Sequence, residues 1–283
     1  MSHIQPRRLN PIHILIPYSY AYDTPSLREA TARIGFLGRV LATFRVERLV
    51  LYRDREGEEY RRHAHLVKEI LDYLCTAPYL RKRLFRLKPS LRYAGLLPPL
   101  NIPTHPEVDD IRRMGTHYRQ ALVIAAGHTS VLDAGLRREI RIPRRLARGS
   151  RVILRAEVAE AGHRFKPISG ASGEVYDGFN TAIMGDLKEI LKDYPLRIAT
   201  SRKGENIVSI LPKIVTDMKN VPRTCIAFGA ADRGLYEIVG EMGGSMEDLF
   251  HITVNTVPGQ GVRTVRTEEA LAYTLAIINI HLT

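Results

Sequence analysis

Asn255-Thr256-Val257-Pro258-Gly259-Gln260-Gly261-Val262-Arg263-Thr264-Val265-Arg266-Thr267-Glu268-Glu269 decides how this chain is read. It leaves an apolar, strand-like run, Leu249–Asn255, and enters a helical one that begins at Thr267. Two glycines flank Gln260, and without Cβ atoms they let backbone amides approach a ligand closely. Taken alone they fit a tight turn better. Two further strand ends shift the reading. Thr200-Ser201-Arg202-Lys203-Gly204 follows the run from Leu196, and Phe228-Gly229-Ala230-Ala231-Asp232-Arg233-Gly234 follows the run from Thr224. Parallel strands would bring all three small-residue loops to one sheet edge, where α/β sheets hold ligands.

The rest of the chain agrees with an α/β sheet. Ile12–Ile16 ends at Pro17 as a buried strand would. Asp23-Thr24-Pro25 offers a helix N-cap, followed by Leu27, Ala30, Ile34, Leu37, Leu41 and Phe44 at helical spacing. Leu49–Tyr52 reads as a strand and Arg61–Cys75 as a helix, giving a strand–helix–strand–helix opening. Pro89, Pro98, Pro99, Pro103 and Pro106 then break regular structure. Ala121–Ala125 and Arg151–Val158, with a turn at Ala161-Gly162, suggest a small β-barrel inserted over 89–165, between 1–88 and 166–283. Beyond it come strand Leu196–Thr200, a helix carrying Ile207, Ile210, Ile214 and Met218 on one face, strand Thr224–Phe228 and helix Leu235–Met242. The last helix, with Thr267 as expected N-cap, is apolar nearly all round and needs burial, for which a subunit interface is a natural place.

Charge adds a second theme. The chain of 283 residues carries a net charge of +12, and 33 of its 42 basic residues are Arg. Residues 111–166 alone hold 13 basic and 4 acidic side chains, whereas 167–283 hold 11 and 14. Arg137, Arg138, Arg141, Arg144, Arg145 and Arg148 crowd one short window. Scarce acids in that window favour a phosphate-backbone partner over a solvated basic face, and no basic amphipathic helix supports a membrane surface.

Several classes are excluded or disfavoured. No apolar run approaches the roughly 18 residues of a membrane span. The stretch from Arg7 to Ile16 is too brief for a signal peptide, and two cysteines, Cys75 and Cys225, point to the cytoplasm. Phosphate-binding Gly-x-x-x-x-Gly-Lys, dinucleotide Gly-x-Gly-x-x-Gly and nucleophile Gly-x-Ser-x-Gly motifs are missing from the sequence, and its scattered histidines suggest no metal site.

The chain resembles the SPOUT class of RNA methyltransferases, in its archaeal and eukaryotic branch with an inserted OB-like β-barrel. Three segments carry the likeness: Tyr79–Phe85 with Leu91–Leu100, the loop Thr200–Gly204, and Val257–Gly261 through Ala270. The resemblance implies a C-terminal deep trefoil knot, S-adenosylmethionine as cofactor and a homodimer packed through the last helix. It places the cofactor on Thr200, Ser201, Gly229, Asn255, Thr256, Val257, Gly259, Gly261, Val262 and Thr264. The substrate it implies is RNA, with ribosomal RNA and uridine N3 as the expected acceptor. Arg202 and Arg263 are candidates to stabilise an anionic base or grip a phosphate, and Asp232 is a candidate general base. The rival reading is a non-catalytic RNA-binding or ribosome-assembly factor that keeps the knot as scaffold.

Overall fold

The computed structural model describes residues 4–106, 110–168 and 173–282, which form two compact units. One takes in 8–72, 90–98 and 179–283; the other takes in 1–7, 73–89 and 99–178.

The larger unit is an all-parallel sheet of β1 (Ile12–Pro17), β2 (Arg48–Tyr52), β8 (Asn180–Ile183), β9 (Leu196–Asn206), β10 (Thr224–Ala227) and β11 (Ile252–Asn255), in the order β11-β9-β10-β1-β2-β8. Its central strands are buried almost without break because helices cover both faces. The helices are α1 (Leu27–Thr43), α2 (Glu58–Leu74), α4 (Leu187–Leu191), α5 (Ile207–Asn220), α6 (Leu235–Glu241), α7 (Met246–Leu249) and α8 (Thr267–Leu282). Leu15, Val50, Ala199, Cys225 and Ala227 form a core with Leu187, Ile190, Leu235, Ile238 and Met246. α8 packs beside α1 and α5 and buries Leu271, Thr274, Leu275 and Ile278. A bidentate ion pair joins Arg33 of α1 to the buried Glu268 of α8 at 3.0 and 3.3 Å.

Three local expectations are corrected. Helix α1 is capped by Ser26, whose hydroxyl accepts from the Glu29 amide at 3.2 Å. Asp23-Thr24-Pro25 stays outside because the Thr24 hydroxyl turns back to the Ala21 carbonyl and Asp23 pairs with Arg33. Leu249 ends α7, a short helix capped by Ser245, so β11 starts only at Ile252. Thr267 lies inside α8; the helix is closed instead by the Glu269 carboxylate accepting from the Arg266 amide at 2.9 Å.

β9 also runs past its expected end. Its register with β11 passes from Ala199↔Thr253 to Glu205↔Val254, so residues 200–204 arch out of the pairing. The chain returns at Gly204, where a Cβ would lie 2.7 Å from the Thr253 carbonyl group. Only glycine lets the two backbones pass this closely.

The smaller unit holds α3 (Pro78–Leu84) and a barrel-like antiparallel sheet of β3 (Gly115–Ala125), β4 (Ser130–Asp133), β5 (Ile140–Ile142), β6 (Arg151–Ala159) and β7 (Gly162–Ile168). The order is β5-β4-β3-β6-β7, and the two edge strands approach each other without pairing, which leaves the barrel nearly closed. Ala121, Val123, Leu132, Ala134, Ile140, Ile142 and Leu154 fill its interior. The Gln120 side chain of β3 accepts from the Ala77 amide and donates to the Cys75 carbonyl, anchoring the start of α3 to the sheet.

Candidate active site

The start of the β9 arch and the ends of β10 and β11 lie close together, with Ala199 opposite both Ala227 and Thr253. Their three loops therefore leave the sheet at one edge. Next to them, the connections from β1 and from β10 depart in opposite directions, the arrangement that opens a crevice in parallel sheets.

Side chains stitch these loops together through main-chain atoms. Thr200 donates its hydroxyl to the Ala227 carbonyl at 3.0 Å, and the Ser201 hydroxyl accepts from the Lys203 amide at 3.2 Å. Asn255 donates to the Arg202 carbonyl at 3.1 Å and accepts from the Val257 amide at 3.0 Å, linking two loops. The Thr256 hydroxyl is buried against that of Thr274 at 2.9 Å. Gly229 sits in a turn so tight that a Cβ would meet the Arg233 carbonyl at 2.9 Å.

The segment from Pro258 to Thr264 is held open. Gly259 has φ +71°, and a Cβ on Gly259 or Gly261 would meet nothing within 4 Å. Gln260 donates to the Val262 and Arg263 carbonyls at 2.8 and 3.3 Å, and Gly261, Val262 and Thr264 are exposed. The two glycines thus leave open space beside the segment, room for a ligand to approach its main chain. No metal-type cluster of three His, Cys, Asp or Glu occurs among the described residues.

The charged candidates divide. Arg202 and Arg263 are exposed, and neither guanidinium has a side-chain partner among the described residues. Asp232 is exposed but paired with Arg55 at 2.5 Å, and that guanidinium holds its carboxyl below the usual range. Arg55 also bonds Asp54 at 3.1 Å; the buried Asp54 carboxylate accepts from the Ser19 amide and hydroxyl at 3.2 and 2.6 Å. Arg233 reaches the Asp54 carbonyl and Glu241. Sequence reasoning missed this Ser19–Asp54–Arg55–Asp232 chain. Its only signal is that Ser19 and Asp54 each follow the end of a strand, β1 and β2, on the same sheet edge. Cys225 is buried in β10, and burial pushes its thiol up to about 12, so it stays protonated.

In the other unit Arg137, Arg138, Arg141, Arg144, Arg145 and Arg148 are all exposed, and none of their guanidiniums has a partner among the described residues. The neighbouring Arg151 and Arg155 are engaged, with Thr76 and with Glu157 and Glu174.

Residues 11–278 match the family described as "Putative RNA methyltransferase". An uncharacterised protein of Haloarcula marismortui is 30% identical, over 94% of this chain and 98% of its own. A human protein named 28S rRNA (uridine-N(3))-methyltransferase is 27% identical, over 94% of this chain and 77% of its own. A solved Legionella pneumophila chain, described as a methyltransferase with bound SAM, covers 96% of this chain and 66% of its own at 8% identity and a TM-score of 0.38.

Proposed function

This chain belongs to the RNA methyltransferase family that spans its residues 11–278, and on that premise we propose that it methylates a base of ribosomal RNA, with uridine N3 as the acceptor. The human relative's name supports that choice of atom.

The methyl donor is S-adenosylmethionine. When bound, this cofactor supplies a methyl group on a sulfonium, which a nucleophile displaces in line. Thr200, Ser201, Gly229 and the segment from Asn255 to Thr264 would hold it, chiefly through main-chain groups. The observation that carries this reading is the open space at Gly259 and Gly261, in a segment whose entry is anchored by Asn255 and Thr256. The long arch at 200–204 and the close passage of Gly204 by β11 support a knotted crossing of the SPOUT type.

Displacement at a methyl group depends on alignment, so positioning is the main work of the protein. Arg202 and Arg263, unpaired at the mouth of the cradle, hold the substrate phosphate or stabilise the base as its proton leaves N3. Their guanidiniums stay charged and cannot take that proton. Asp232 is the carboxylate within the loops that could, and Arg55 fixes its orientation.

RNA is gripped by the inserted module of 89–165, an OB-like barrel, through the six unpaired arginines. The chain works as a cytoplasmic homodimer whose interface includes the exposed Tyr273 and Ile280 of α8.

Titration calorimetry with S-adenosylmethionine, followed by transfer of a labelled methyl to ribosomal RNA, tests the proposal. No heat at millimolar cofactor would refute the enzyme reading. Cofactor binding without transfer to any RNA would favour the non-catalytic assembly factor.

A further inference from the structure

Between the unpaired edges of the barrel-like sheet, β5 and β7, lies a cavity of about 460 Å³. That volume falls inside the range of roughly 300–1,000 Å³ typical of ligand clefts. Its apolar lining is Ile111, Leu136, Ile140 and Phe165, and Arg112, Arg137, Arg138 and Arg141 surround it with one acid, Glu139. Phe165 is half-buried, its inner side packed on the barrel core. His163 stands beside it, ring centroids 6.2 Å apart, with its Nε2 bonded to the Ile111 carbonyl at 3.0 Å.

We propose that this seam is a pocket for one unpaired base of an RNA strand. The inference rests on the RNA-binding reading above and goes beyond it by naming where a base enters and what form of RNA is recognised. Two ring side chains offer flat surfaces for stacking, and the guanidiniums at the rim meet the phosphates on either side of the inserted base. A continuous duplex keeps its bases paired and stacked inside, so it can reach the rim arginines but cannot fill the cavity. The pocket therefore selects single-stranded or bulged RNA, whereas arginines alone would bind any backbone.

The test measures affinity of the full chain for a fluorescent oligouridylate and for an RNA duplex of equal length. Variants are His163→Ala, Phe165→Leu and the pair Arg137→Gln with Arg138→Gln. A stacked base contributes about 1–3 kcal/mol. Either ring variant should thus weaken single-strand binding about tenfold while duplex binding, its salt slope and the cofactor affinity stay unchanged. The arginine pair should weaken both forms and flatten the salt dependence. His163 is exposed, so its replacement should leave the melting temperature in place, and Phe165→Leu keeps an apolar side chain on the core. Unchanged single-strand affinity in both ring variants, or equal loss on duplex and single strand, overturns the pocket. Methyl transfer that persists in that case leaves the enzyme reading standing, whereas a chain binding neither RNA nor S-adenosylmethionine fails both.

Discussion

Thr267 donates its hydroxyl to the Gly229 carbonyl at 3.0 Å, tying the first turn of α8 to the loop after β10. The bond explains why a threonine placed where a cap is expected does not cap. Its hydroxyl is used across the site, and Glu269 closes the helix end. Thr267→Val keeps the shape and removes the donor. It should cost about 1 kcal/mol of stability, and a calorimetric melt should read a fall of a few degrees. The loop carrying Gly229 loosens at the same time, so affinity for S-adenosylmethionine should fall about fivefold, and Thr267→Ser should restore both.

Gly204 gives a sharper test. A methyl group there would sit 2.7 Å from the Thr253 and Val254 backbone, which cannot yield as a flexible side chain would. Gly204→Ala should therefore destabilise the α/β unit by about 2–3 kcal/mol and abolish measurable cofactor binding. RNA affinity, which depends on arginines of the other unit, should change less than twofold. Loss of both affinities together would show that the close passage is not confined to the cofactor site.

Much of this arrangement is legible in the sequence because its signals are local. Apolar runs such as Ile12–Ile16 and Thr224–Ala227 mark buried strands, and the helical spacing of Ile207, Ile210, Ile214 and Met218 marks α5. The three loops with their glycines announce a backbone cradle before any strand order is known. Contacts set by the fold alone are harder to read. Nothing near Arg55 says that it meets Asp232 across 177 positions of sequence. The arch of β9 at 200–204 depends on where β11 passes, which no local pattern records. The barrel seam is invisible for the same reason: it exists only because β5 and β7, the ends of the sheet order, approach each other.

The Arg55–Asp232 pair bears directly on the proton transfer. Arg55 lowers the Asp232 pKa, which makes the carboxylate a weaker base but keeps it ionised throughout the neutral range. Activity should accordingly show no rise attributable to Asp232 between about pH 5 and 8. Arg55→Met removes the cation, and the Asp232 carboxyl, followed by NMR, should move up toward the ordinary value near 3.9. Turnover should fall more than cofactor affinity, because the carboxylate loses its fixed orientation. Asp232→Asn should lower turnover by 100-fold or so if the proton leaves through this group. Unchanged turnover in Asp232→Asn would remove it from the mechanism and leave only the cationic pair, Arg202 and Arg263.

Stability should fall in mild acid, and the cause lies in histidines outside the site. His13 is lowered to about 4, first by burial and then by Arg48 and Arg223; its Nδ1 lies 2.9 Å from the Tyr194 hydroxyl. His105 is lowered to about 4, again first by burial and then by Arg81, and bonds the Cys75 carbonyl at 3.1 Å. Each folded pKa lies below the unfolded value of about 6.5, so between pH 6.5 and 4 the unfolded chain binds more protons than the native one. Stability is full above pH 6.5 and is lost as pH falls toward 4, by up to about 3 kcal/mol for each histidine. His13 belongs to the α/β unit and His105 to the barrel unit, so melting of both should shift downward from pH 7 to 5. Carboxylates contribute mainly below that window. His13→Gln should flatten the pH dependence of the α/β unit alone, and His105→Gln that of the barrel unit alone. A melting temperature constant from pH 7 to 5 in the unmodified chain would show that neither imidazole is held neutral by its surroundings.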